Sequence, residues 1–102
     1  RVLASAHLQI TSTAATGFHG VFCRFGIAPA GSPNPTLFGQ EVKQDIPPNT
    51  TAPVIGQVPM VAGTTKPAGD YIVNVGCRSD SPPGTDIKFD SGDLVVWALP
   101  AQ

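Results

Sequence analysis

The stretch "DYIVNVGCRSD", residues 70–80, decides the fold. Tyr71, Val73, Val75 and Cys77 fall on one parity, and Ile72, Asn74, Gly76 and Arg78 on the other. That is the period of a strand with one buried face. "VFCRFG" at 21–26 repeats the device, so each of the two cysteines sits on an apolar parity just before an arginine. If the two strands are antiparallel neighbours, Cys23 and Cys77 lie side by side and can form a disulfide. Closing a loop of about fifty residues is worth roughly 4 kcal/mol in the chain-entropy model. The alternative is a pair of buried thiols packing as small hydrophobes. Metal ligation is disfavoured, because there is no Cys-x-x-Cys and no adjacent histidine. Arg24 and Arg78 then project together from the opposite face of the same sheet, where two like charges need acidic partners, water or a bound anion.

The same reading extends along the chain. "VLASAHLQIT" (2–11), "GFHGVFCRFGIA" (17–28) and "TLFGQEVKQDI" (36–46) are strand candidates, the third polar enough for an edge or an outer sheet. "APVIGQVPMVA" (52–62) carries Pro53 and Pro59, and proline cannot donate to a ladder, so this strand belongs at an edge or a bulge. "GTDIKFD" (84–90) and "DLVVWAL" (93–99) follow the quoted stretch. Clusters such as "PAGSPNPT", "GTTKPAGD", "SDSPPGTD" and "DSGD" supply turn residues between them. No segment holds a capped 3.6-residue period. The expectation is one all-β domain over residues 1–102, an antiparallel β-sandwich of about seven to eight strands.

Composition narrows the function classes. Charged residues are 13% of the chain, about half the usual share. A small domain has proportionally more surface, so low charge suggests that copies of the chain cover one another. A net charge of −1 with scattered basic residues argues against nucleic acid. The longest apolar run, "LVVWALP", is too short to cross a bilayer. The start at "RVLASA", without methionine or a visible signal peptide, suits a processed or excised fragment.

No catalytic or cofactor signature stands out. His7 and His19 are the only histidines, and Glu41 is the only glutamate, without a carboxylate neighbour in sequence. No nucleophile elbow, zinc-protease pair or phosphate loop is present. The expectation is therefore a protein without enzymatic activity and without a cofactor. Asp80, Asp86, Asp90 and Asp93 are weak candidates for a calcium site, since loop carboxylates suit a hard cation, but they lack ligand spacing and turn aspartates ordinarily bond their own backbone. "NTT" at 49–51 matches a glycosylation sequon. Met60 reads as packing. The final strand is apolar on both parities, so both faces must be covered. One set fills the sandwich, and the other meets a second subunit. Trp97, Val95 and Leu99, with Ile72, are the expected interface residues.

"AGDYIVNVGCRSD" followed by "FDSGDLVVWAL" resembles the last strands of the tumour-necrosis-factor and complement collagen-like globular-head superfamily, in which a "GD" turn opens an alternating strand and "F-S-G-x-L" opens the inward final strand. Small bacterial and phage domains of this type often carry one cysteine in each of two paired strands. The resemblance implies a jelly-roll sandwich assembled as a trimer, with the strands of Cys23, Cys77 and Trp97 nearest the axis. It also implies a non-catalytic surface head recognising a glycan or protein. The alternative is a purely structural subunit, such as a virion decoration or fibre protein or part of an appendage. Either reading places the chain outside the cell, on a cell surface or on a virion.

Overall fold

The computed structural model describes residues 1–12, 19–47, 54–80 and 87–100. Six strands carry them: β1 (Val2–Ser12), β2 (His19–Pro29), β3 (Thr36–Ile46), β4 (Val54–Thr64), β5 (Tyr71–Ser79) and β6 (Ile87–Ala98). They form two antiparallel three-stranded sheets, ordered β4-β1-β6 and β3-β2-β5. The domain is thus an all-β sandwich. The proline-bearing β4 and the polar β3 both lie at sheet edges, as their composition predicts.

The number of strands differs from expectation: six among the described residues instead of seven to eight. The segments 84–90 and 93–99 are not two strands, because β6 runs unbroken through "DSGD". Its register against β1 slips between Gln9, opposite Ser91, and Ile10, opposite Phe89, so Asp90 is the extra residue of a bulge. The Thr11 hydroxyl donates to the Asp90 carboxylate and holds the bulge in place. Asp, Ser and Gly suit a bulge as well as a turn, and local composition cannot separate the two.

β1 pairs with β4 in one sheet and β2 with β3 in the other, with β6 and β5 added on the other side of β1 and β2. The two central strands therefore supply most of the core. Ala4, Ala6 and Ile10 of β1 face Val21, Cys23, Phe25 and Ile27 of β2, and all are buried. Phe38 stacks on Phe25 with ring centroids 5.4 Å apart. Ile46, Val58 and Met60 close the β3/β4 side, where Met60 serves as packing. A Cβ on Gly39 would stand 2.5 Å from the Ala62 Cβ, and one on Gly56 would stand 3.1 Å from Ile46 Cδ1, so the missing side chains let the sheets close along this edge.

The opposite edge is open. The inward residues of β5 (Tyr71, Val73, Val75 and Cys77) are only half-buried, and no residue of β6 from Lys88 onward is buried. The chain is correspondingly extended, with a radius of gyration of 15.7 Å against about 13 Å for a compact domain of this length.

Cys23 and Cys77 stand directly opposite one another in the β2–β5 ladder, with Cα atoms 4.1 Å apart, and are joined by a disulfide. The bond ties the half-buried β5 to the core strand β2 across a sequence separation of 54 residues. Replacing both cysteines by alanine should lower the unfolding free energy by about 2–5 kcal/mol in denaturant melts. Intact-mass analysis after non-reducing alkylation should find neither cysteine modified in the native protein.

Candidate functional site

The arginine after each cysteine leads to a cleft. On the outer face of the second sheet, Arg78 lies over the Phe22 ring, 4.2 Å from its centroid, and donates to Glu41 Oε1 at 2.8 Å. Lys43 approaches the same ring at 5.5 Å and pairs with Asp45 at 3.3 Å. Arg24 is held differently. Between the pairs Cys23–Val42 and Phe25–Phe38, this single residue of β2 stands opposite residues 39–41 of β3. Gly39, at φ +73°, allows that bulge, and the Arg24 Nε–H donates 2.9 Å to the Gly39 carbonyl. Glu41, one residue before the inward Val42, lies on the outer face by simple alternation and pairs with Arg78. The sequence places the two arginines together but gives no sign of the bulge, because it depends on pairing with a distant strand.

Between the arginines lies a cleft of about 290 Å³. Leu37, Phe22 and Gly76 line it with both guanidinium groups. Gly76 is exposed, and a Cβ built on it meets nothing within 4 Å, so open space stands above the strand there.

A second hollow, of about 210 Å³, lies on the outer face of the first sheet. Its register pairs His7 with Asp93 and Gln9 with both Gln57 and Ser91, so imidazole, carboxylate, amide and hydroxyl groups share one surface. Histidine, aspartate and serine are brought together here, but no hydrogen bond joins His7 to Asp93 or Ser91, and nothing orients the ring as a base acting on a nucleophile. The side chain of His19 lies outside the described residues.

Further along that face the surface turns apolar. Leu3 stands opposite Trp97, and Ser5 stands between Val61 and Val95. Trp97 is 49% exposed, Val95 48%, Leu99 42% and Val61 80%. Trp97, Val95 and Leu99 therefore share a parity, pointing away from the core. Ile72, 56% exposed, is on the outer face of the other sheet, beside Ala28. It reaches the same end of the sandwich but not the same patch. Parity tells which residues share a face of a strand; it does not tell which sheet that strand joins.

The acidic candidates are dispersed. Asp80 accepts from the Gly20 amide at 2.9 Å, Asp90 accepts from Thr11, and Asp93 faces outward beside His7. Asp86 lies outside the described residues, as does the sequon at 49–51. Among the described residues, no three His, Cys, Asp or Glu side chains group as metal ligands. Likewise, no described helix is long and apolar enough to cross a membrane.

No family model, curated protein or solved structure matches the chain.

Calcium added at millimolar concentration to chelator-treated protein should leave the melting temperature unchanged. A saturable rise would mean that the aspartates gather around an ion.

Proposed function

We propose that the protein is a non-catalytic, self-associating module: a trimeric jelly-roll head or building block of an extracellular, cell-surface or virion structure. The observation that carries this reading is the exposure of β6 on both faces. Its inward parity, Leu94 and Val96, and its outward parity, Val95 and Trp97, are each 41–49% exposed. A strand apolar on both sides needs cover on both sides. The disulfide suits an oxidising location.

Three-fold symmetry is taken from the resemblance to the tumour-necrosis-factor and complement head superfamily.

Light scattering at micromolar concentration should give a native mass three times the 10.5 kDa of the chain. Trp97→Asp should give folded monomers, because it buries an uncompensated charge only at the contact. Val96→Asp, on the inward parity and also 42% exposed in the single chain, should weaken assembly as well. A stable, soluble monomer of the unmodified protein would overturn the reading.

The polar hollow favours a recognising head over a purely structural subunit. Its amide, hydroxyl and carboxylate groups match the alternating donors and acceptors of a glycan. On a glycan array the protein should bind a defined sugar, and Gln57→Ala should weaken that binding at least tenfold. Binding to no sugar leaves the structural-subunit reading.

A further inference from the structure

We propose that the cleft between Arg24 and Arg78 binds a carboxylate carried on an apolar body, with Arg24 as the anion-binding group. This goes beyond self-association and does not depend on it.

Arg24 is half-buried, and among the described residues no carboxylate pairs with it, whereas Arg78 has Glu41 and Lys43 has Asp45. A partly buried cation without a counter-ion is costly, and its natural partner is an anion from outside the chain. Its geometry is also preset. The bond from Nε to the Gly39 carbonyl fixes the guanidinium plane and leaves the two terminal nitrogens as a planar fork. Such a fork matches the two oxygens of a carboxylate, and fixing it beforehand reduces the entropy lost on binding.

Gly76 is the second observation. Glycine in the interior of a strand sacrifices packing and backbone entropy, and it commonly marks a close approach by a ligand. Here the approach is not filled by the protein itself, since the space above Gly76 is empty to 4 Å.

The rest of the lining selects the ligand body. Leu37 is 55% exposed beside this floor, and the Phe22 ring forms the remaining wall. The one carboxylate at the rim, on Glu41, is engaged by Arg78. The cleft therefore offers a branched or aromatic group an apolar surface and offers its carboxylate a fork. It lacks the amides and hydroxyls that a neutral sugar needs. Two sources share this chemistry: a small aryl or alkyl carboxylic acid, and the C-terminal residue of a peptide ending in an apolar side chain.

The test uses nitrogen-15-labelled full chain, titrated with benzoate and isovalerate, with benzamide and isovaleramide as uncharged controls. A peptide ending in free phenylalanine is compared with its C-terminal amide. The acids should shift the Gly76 amide and Arg24 Nε–H resonances saturably, and the amides should not. A peptide acid binding at least tenfold more tightly than benzoate assigns the site to chain termini; equal or weaker binding assigns it to small acids. Gly76→Val fills the floor of the cleft opposite Arg24, keeps the Arg24 charge in place and adds a residue that strands favour. It should abolish the shifts while leaving native mass and melting temperature in place. Arg24→Gln should also abolish them. The absence of saturable shifts at tens of millimolar acid, equal binding of acid and amide, or unchanged binding by folded Gly76→Val would each overturn the proposal. The native-mass measurement reports on self-association separately.

Discussion

The structure depends on one row of side chains. Val21, Cys23, Phe25 and Ile27 of β2 are each no more than 1% exposed, and every other layer is placed by contact with them. β3 and β5 pair with β2 on either side, Phe38 stacks on Phe25, and Cys77 bonds to Cys23. Across the sandwich, β1 meets the row with alanines at positions 4 and 6, small enough for the bulk of β2 to fill the space between the sheets. A two-layer sandwich of three strands each can bury its central pair fully. Its edges must be closed by other means.

The two edges of the sandwich differ. On the β3/β4 side, Gly39 and Gly56 remove atoms that would keep the sheets apart, and Ile46 and Ala62 pack into the space. On the other side the inward positions hold Tyr71, Val73, Val75 and the disulfide from one sheet and Leu94 and Val96 from the other. There the inner row of β5 is half-buried and that of β6 is exposed, so the apolar side chains of this edge lack the cover that their counterparts on β3 and β4 have.

Much of this was legible before the structure. Strict alternation over 71–78 gives the two faces of β5, and Pro59 gives the edge position of β4, because both signals act within one strand. The continuity of β6 was not legible, since "DSGD" has turn chemistry, and only the Thr11–Asp90 contact from β1 makes it a bulge. The proximity of Arg24 and Arg78 followed from the cysteine pairing. Their different partners did not, because both come from a third strand, Glu41 by its register and the Gly39 carbonyl through a bulge. The grouping of Ile72 with Trp97 failed for a related reason. Residues on two strands that end side by side can still face away from opposite sheets.

The two outer faces of the sandwich carry different side chains. Arg24, Glu41, Lys43, Asp45 and Arg78 all project from the outer face of the second sheet, interleaved around Phe22. The outer face of the first sheet carries Leu3, Val61, Val95 and Trp97 at one end, beside Arg1, with His7 and Asp93 further along. The two faces therefore differ: the described ion pairs lie on the second sheet, and the first holds the cluster of exposed apolar side chains around Trp97. Because these faces look in opposite directions, covering the first sheet does not obstruct the cleft on the second. A copy docked against Trp97 would leave Arg24 and Gly76 open to solvent, so the proposed assembly and the proposed ligand capture do not compete for surface.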